Sequence, residues 1–194
     1  MVHLRESPLQ SLIRLRPYAG AALVLLCAAA ASVWATPGPR GWFGAALAAI
    51  MIAIAAVDAR RFIIPDNLSL LALALGVLNA IVFDPGPAYA AIGWGALRGA
   101  VFAALVLALR AAYQWLRGRE GIGLGDVKLA GVAGVWLDWT GMAVAMEIAA
   151  LAALLVIGLR AARGHRVTAT MAIPFGLFLA PAIWLAWLIE VLVL

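Results

Sequence analysis

The chain of 194 residues is 66% hydrophobic, and its mean hydropathy of +1.06 places most of it in lipid rather than around a soluble core. We therefore predict a single all-α membrane domain over residues 1–194, a polytopic helix bundle. The net charge is +5, but the basic residues form no lysine-rich tail and no stripe interleaved with aromatic residues, which argues against a nucleic-acid partner. Cys27 is the only cysteine, which excludes an internal disulfide.

Seven hydrophobic segments follow one another along the chain, separated by glycine, proline and aspartate turns. They lie at about residues 17–35, 42–57, 67–83, 88–112, 124–137, 140–159 and 171–193. No signal-peptide cleavage pattern follows the first, which is interpreted as a retained span. The fifth reaches only ~21 Å as a helix against a hydrocarbon core of ~30 Å, so it is predicted to be recessed or partly re-entrant. We expect six to seven transmembrane segments.

The basic residues predict the orientation of the chain. Lysine and arginine cluster before the first segment and in the connections after the second, fourth and sixth, which together hold 12 of the 14 basic residues. Positive residues concentrate on the cytoplasmic side of membrane proteins. The N-terminus and these connections are therefore predicted to lie in the cytoplasm, and the C-terminus outside it.

Several kinds of active site are excluded by the residues present. The two histidines, His3 and His165, lie far apart in sequence, and the chain has no H-E-x-x-H zinc motif. None of the four serines lies in a G-x-S-x-G motif. The glycine-rich stretch near residue 121 has no lysine-serine ending, so it is not a phosphate-binding loop. Carboxylates remain as the candidate reactive groups.

Three carboxylates lie in two connections predicted to face the cytoplasm. Asp58 and Asp66 belong to "DARRFIIPDNLSLL", and Asp126 belongs to "GIGLGDVKLAG". A carboxylate at the bilayer edge is costly and is retained for a partner or a function. Two carboxylates a few ångströms apart share one proton, so that one acts as a base and the other as an acid, and such a pair could activate water against a peptide carbonyl. The glycines allow an unwound backbone that an extended substrate could approach.

Structural explanations compete at each of these positions. Asp66 is better explained as a helix N-cap, and Asp126 is equally well explained as a cap or a functional group. Asp58 ends a helix, where a negative charge opposes the helix dipole, so a structural role explains it least well. Arg60 is interpreted as a cytoplasmic anchor that could also steady a carboxylate. Lys128 lies about 200° around a helix from Asp126, which predicts that it extends to the membrane interface rather than pairing with that residue.

Two more charged residues lie inside hydrophobic segments. Arg98 is in the outer half of the fourth segment and Glu147 is in the outer half of the sixth. Charges within a membrane are usually paired. We predict a buried structural pair for both.

The two carboxylate regions resemble the signature regions of the type IV prepilin peptidases, the bacterial branch of the G-x-G-D intramembrane aspartyl proteases. A third stretch, "IPFGLFLAPA" at residues 173–182, resembles the C-terminal signature of that family. The resemblance covers the chain from about residue 42 to its end. It implies that Asp58 and Asp126 are the two catalytic aspartates. Substrate-binding or site-shaping roles are then expected for Pro65, Asp66, Gly123, Gly125, Lys128, Pro174 and Gly176.

The resemblance also implies an activity. These enzymes remove a short basic leader from prepilins or pseudopilins after a glycine, at the cytoplasmic face, while the hydrophobic stem stays in the membrane. The implied partners are a prepilin-like substrate and membrane lipid, and the sequence does not indicate the oligomeric state. Longer members carry two C-x-x-C pairs and N-methylate the product, whereas this chain has Cys27 alone. It therefore resembles the short, peptidase-only form found with Flp-type pili, with no zinc or other cofactor expected.

Two other classes of function remain open from the sequence. A proton-coupled transporter could use carboxylates near a broken, glycine-containing helix. Against it, the chain has no internal repeat, and both candidate acids lie at one face rather than near the midplane. A non-enzymatic assembly subunit could use the same charges as anchors without needing either aspartate to titrate.

Overall fold

A computed structural model describes residues 8–164 and 174–193, and for residues 8–19 it describes the backbone alone. Within these residues the regular elements are seven α-helices, which confirms the predicted all-α bundle. They are α1 (Pro8–Ala35), α2 (Pro39–Arg61), α3 (Asp66–Phe83), α4 (Ala88–Arg117), α5 (Leu124–Trp136), α6 (Trp139–Ala162) and α7 (Gly176–Val193). Some features singled out from the sequence lie outside the described residues: His3, His165, the start of the seventh segment at 171–173, and Arg5 and Arg166 among the basic residues used for the orientation.

Five helices are long and apolar enough to cross a membrane, namely α2, α3, α4, α6 and α7. Helix α1 adds a shorter apolar stretch, Gly20–Ala35. Many leucines of α4 and α6 are exposed on the outside of the bundle, as expected for surfaces that contact lipid. The helices thus follow the seven hydrophobic segments of the sequence.

Helix α5 is the short element at the centre of the bundle. It has 13 residues and packs against α3, α4 and α7. A Cβ atom at Gly134 would overlap the α4 backbone at Gly99, so the absence of side chains lets these two helices approach closely. Trp136 ties α5 to α3 by donating its indole N–H to the Ala72 carbonyl at 2.9 Å. A helix enclosed on these sides does not need the length of a lipid-facing span.

Helices α2 and α7 pack side by side through a glycine and a tryptophan. A Cβ atom at Gly44 would overlap the ring of Trp187, a side chain that is 1% exposed. Pro181 lies inside α7 and removes one backbone hydrogen bond of that helix. Trp184 further links α7 to α1 by donating to the Ser32 hydroxyl at 3.0 Å. This packing holds the start of α7 beside the end of α2.

The connection between α2 and α3 corrects one expectation. Phe62 follows α2 in the left-handed conformation (φ 55°), and its N–H donates to the Asp58 carbonyl at 2.9 Å. Pro65, not Asp66, is the N-cap of α3, and no side chain caps that helix. Asp66 is the first helical residue because Pro65, whose φ of −67° would suit a helix, has an extended ψ of 131°. The predicted N-cap role of Asp66 is therefore wrong.

The predicted buried pair involving Arg98 and Glu147 is also wrong. The Arg98 Nε donates to the Gly134 carbonyl at 3.0 Å, near the end of α5 where carbonyls lack helical partners. Glu147 is exposed on α6. A partly buried acidic contact lies elsewhere, where the carboxylate of Glu190 in α7 accepts a hydrogen bond from the backbone N–H of Asp138 at 2.9 Å. Asp138 in turn caps α6 by accepting from Gly141 N–H at 2.6 Å.

Candidate active site

Asp58 is buried in the last turn of α2, with 5% of its surface exposed. Its Oδ2 accepts a hydrogen bond from the Leu177 N–H at 2.9 Å. Leu177 is in the first turn of α7, where backbone N–H groups have no helical partner and the helix dipole favours a negative charge. The carboxylate that opposes the dipole of its own helix is therefore stabilised by the dipole of another.

Gly176 makes this contact possible. A Cβ atom there would lie 2.8 Å from Asp58 Oδ2 and 2.8 Å from Ile64 Cδ1. Real Cβ atoms do not approach carboxylate oxygens so closely, so even alanine would displace one neighbour. The predicted site-shaping role of Gly176 thus has a steric basis at Asp58.

Asp126 is buried in the first turn of α5, with 7% of its surface exposed. Its Oδ2 accepts a hydrogen bond from the backbone N–H of Gly123 at 3.2 Å. Gly123 is the N-cap residue of α5, so this bond gives its N–H a partner. Burial and, to a smaller extent, the neighbouring Asp58 charge raise the pKa of the Asp126 carboxyl to about 6, against the lowering effect of the Gly123 hydrogen bond. Asp126 therefore combines a helix-capping contact with the titration expected of a functional group.

One cavity of about 380 Å³ brings the two aspartates together. Its walls come from the end of α2, the residues after it, the connection before α5, and the residues before α7. The predicted site residues that line it are Asp58, Asp126, Gly123, Gly125, Lys128 and Pro174. Pro65 and Asp66 are not among the described lining residues, and Gly176 acts behind Asp58. The cavity therefore presents two buried carboxyl groups, those of Asp58 and Asp126, to a molecule that enters it.

Ile64 is a wall residue that sequence reasoning missed. It is 6% exposed and lines the cavity between Asp58 and the glycine connection. A Cβ atom at Gly125 would lie 3.0 Å from three atoms of the Ile64 side chain. The glycine therefore lets the start of α5 pack onto Ile64. An isoleucine within an apolar stretch carries no sequence signal of such a role.

Lys128 forms an ion pair with Asp66 at 2.5 Å, between the first turns of α5 and α3. The two side chains are 49% and 71% exposed. The expectation that Lys128 does not pair with Asp126 agrees with this geometry, but its partner is a carboxylate of another helix rather than the membrane interface. The pair joins the two signature regions, and nothing in a single sequence shows that two residues 62 positions apart would meet.

Arg110 is the second residue that the sequence did not single out. It belongs to α4, and its guanidinium donates to the Glu120 carboxylate at 2.8 Å and to the Ile122 carbonyl. Its side chain is 12% exposed. An arginine within a hydrophobic segment is a signal of function or pairing, but Arg110 lies near the cytoplasm-facing end of its segment, where it resembles a topology anchor.

Metal binding needs several ligands close together. Among the described residues, no group of three or more histidine, cysteine, aspartate or glutamate side chains is placed to hold a metal ion. Three carboxyl groups line the cavity, those of Asp58, Asp126 and Glu120.

The family model of the type IV leader peptidases matches residues 45–158, more than half of the chain. The chain belongs to the type IV leader peptidase family. The matched range contains both Asp58 and Asp126, whereas Leu177 and the rest of α7 follow it. No solved structure matches the chain.

Curated relatives of this type IV leader peptidase family member carry the name prepilin leader peptidase/N-methyltransferase. The protein of Aeromonas salmonicida (strain A449) is 33% identical over 86% of the chain and 55% of its own length. The protein of Burkholderia pseudomallei (strain 1026b) is 37% identical over 79% of the chain and 48% of its own length. That of Xanthomonas campestris pv. campestris is 34% identical over 84% of the chain and 55% of its own length. The chain thus spans about half the length of these relatives.

Proposed function

We propose that the chain is a membrane aspartic endopeptidase that removes the leader from prepilin-like substrates. The observation that carries the proposal is the pair of buried carboxyl groups, Asp58 and Asp126, that face one cavity from separate helices. Membership of the type IV leader peptidase family supports the reaction class, and the peptidase part of the relatives' names supports a prepilin substrate.

The geometry supports different roles for the two carboxyl groups. The first turn of α7 provides Asp58 with an N–H donor and a favourable dipole, both of which stabilise an ionised carboxylate. Asp126, whose pKa is raised to about 6, is the better holder of the shared proton. Asp58 then removes a proton from water, the water oxygen attacks the scissile carbonyl carbon, and Asp126 donates its proton to the departing amine nitrogen.

The surroundings of the dyad suit a basic leader joined to an apolar stem. Glu120 lines the cavity together with Asp58 and Asp126, so acidic groups outnumber Lys128 there. The connections that form this cavity belong to the side rich in lysine and arginine, which supports a cytoplasmic active site in the bacterial inner membrane. A leader entering from the cytoplasm would meet the carboxylates while its hydrophobic stem remained in the bilayer.

Cleavage of a prepilin-like peptide by the purified protein tests the proposal, with the cut located by mass spectrometry. Asp58→Asn and Asp126→Asn are each expected to abolish cleavage, because an amide cannot exchange the required proton, while Asp66→Asn serves as the control outside the cavity. Near-normal cleavage by either of the first two variants would contradict the aspartic mechanism. A parent protein that cuts no prepilin but carries a pH-driven flux dependent on both aspartates would favour the transporter instead.

A further inference from the structure

The connection between α4 and α5 is held in place by one side chain of α4. Residues 120–123 of this connection line the cavity that contains the two aspartates. Arg110 binds this stretch at two points, the Glu120 carboxylate and the Ile122 carbonyl. A nearly buried guanidinium in an apolar helix is costly to desolvate, and the two acceptors on the connection offset that cost.

The Ile122 carbonyl and the Gly123 N–H belong to the same peptide group. Arg110 donates to the oxygen of this group, and its nitrogen donates to Asp126 Oδ2 at 3.2 Å. Because a peptide group is planar, fixing the direction of the C=O also fixes the direction of the N–H. A cation on the carbonyl oxygen also polarises the group and makes its N–H a stronger donor.

We propose that Arg110 is a positioning residue that acts on Asp126 through the Ile122–Gly123 peptide group, setting the orientation of the Asp126 carboxyl and its readiness to ionise. The inference rests on the proposed function, in which Asp126 holds and donates the catalytic proton. It assigns the reaction a participant on α4, a helix that contributes no side chain to the cavity wall.

Three other charged side chains lie around Asp126 and also affect its titration. Asp58 faces Asp126 from α2, Glu120 lies on the connection, and Lys128 lies on α5 itself. Removing Arg110 leaves Asp58 and Lys128 with their own contacts but releases both Glu120 and the Ile122–Gly123 peptide group. The ionised form of Asp126 loses support, so its titration moves to higher pH.

The principal variant is Arg110→Met, which keeps the length and apolar stem of the side chain. We expect kcat for prepilin cleavage to fall about tenfold or more, since hydrogen bonds to charged groups contribute on this scale, with a smaller change in KM. The limb of the pH profile that depends on Asp126 should move to higher pH. Arg110→Lys retains the charge but cannot reproduce the two-point contact, and it should recover part of the loss and part of the shift.

Two further variants separate this role from other effects of charge. Arg117→Met makes the same change on the same helix at an exposed position, and it should leave kcat and the pH profile as in the parent. Glu120→Ala removes one acceptor of Arg110 but leaves the contact with Ile122, so it should not reproduce the pH shift. A thermal melt of each purified variant reports whether the bundle is intact.

The proposal is overturned if Arg110→Met gives the same pH profile as Arg117→Met, or if Glu120→Ala reproduces the full shift, because the effect would then run through Glu120. If Arg110→Met does not fold, Arg110→Lys decides by the same pH criterion. Infrared titration of the carboxyl groups, assigned with Asp126→Asn, gives a readout that needs no substrate. A parent that cleaves nothing would refute the proposed function, whereas an unshifted Asp126 titration in Arg110→Met would refute the role of Arg110.

Discussion

At the scale of single residues, both aspartates depend on a backbone N–H and on a glycine. Asp58 accepts from Leu177 and needs the bare Cα of Gly176, while Asp126 accepts from the backbone of Gly123. Backbone donors cannot rotate away as side chains do, so they hold a carboxyl group in one orientation at little cost in side-chain entropy. Substitutions at glycine therefore test the orientation of an aspartate without changing the aspartate itself.

We expect Gly176→Ala to reduce prepilin cleavage by up to about a hundredfold, because a displacement of about 1 Å in a catalytic group can have that effect. The new Cβ would lie 2.8 Å from Asp58 Oδ2, and the carboxyl group or α7 would have to move. Gly158→Ala is the matched control, since a Cβ at that glycine of α6 has no neighbour within 4 Å. Equal cleavage rates for the two variants would show that the close contact at Gly176 has no catalytic importance.

Asp126→Asn is expected to stabilise the protein in a pH-dependent way. The pKa of Asp126 rises from 3.8 to about 6 in the folded protein, so the folded state binds the proton more tightly than the unfolded state and loses stability as pH rises through this range. The penalty on the parent reaches about 3 kcal/mol at most, and asparagine has none. Thermal melts should differ little at pH 3.5 and show a higher melting temperature for the variant at pH 7.5. A difference that is constant with pH would contradict the burial of an ionised Asp126.

At the scale of helices, α7 connects two parts of the molecule that are far apart in sequence. Its first turn holds Asp58, its centre packs on α2 through Trp187, and Glu190 near its end accepts from the N–H of Asp138. The geometry at Asp58 is consequently set by contacts along the whole length of α7. The Lys128–Asp66 pair links α5 to α3 in a different manner, through exposed charges.

The Lys128–Asp66 pair is expected to contribute little to stability because both side chains are largely exposed. In a double-mutant cycle of Asp66→Asn and Lys128→Gln, the coupling energy should be below about 1 kcal/mol and should shrink further in high salt. Asp66→Asn should also retain cleavage within roughly fivefold of the parent. A coupling energy several times larger would mean that the pair acts as a rigid connection between the two signature regions.

The hydrophobic pattern was enough to place the seven helices, because lipid imposes a length and an apolar character on each span. It also marked α5 as too short, and motifs in the local sequence singled out Asp58 and Asp126. Neither the pattern nor the motifs revealed the partner of Lys128, the N–H group that donates to Asp58, or the contacts of Arg110. Each of these depends on which helices become neighbours, and helix packing in a membrane is decided by small residues such as Gly99 and Gly134 rather than by the pattern of hydrophobicity.

At the scale of the whole molecule, aromatic residues mark the edge opposite the cavity. Trp34, Trp42 and Tyr89 are 77%, 66% and 79% exposed, and they lie at the end of α1 and the starts of α2 and α4. Tryptophan and tyrosine concentrate where a membrane meets water. These residues fit the outer interface of the proposed orientation, with the arginine-rich ends of α2, α4 and α6 at the inner one.

Cysteine labelling in whole cells tests this orientation. Cys27 is exposed, so it is first replaced by alanine, and single cysteines are then introduced at Phe62 and Glu120. Because both positions lie beside the cavity, we expect neither to react with an impermeant reagent added outside, and both to react after the membrane is opened. A reporter fused after Leu194 should be active in the periplasm. Labelling of both cysteines from outside would reverse the orientation and the proposed side of cleavage.

The donor to Asp58 has a consequence for how the protein is made. Leu177 is 119 residues further along the chain than Asp58, and it is synthesised after both aspartates. At typical rates of translation the ribosome needs about 3 to 10 seconds to reach it from Asp126. During that interval the nascent chain already contains both carboxyl groups, but Asp58 still lacks its N–H donor. Under the proposed function, we expect a nascent chain that still lacks α7 to be inactive, because Asp58 is then without this donor.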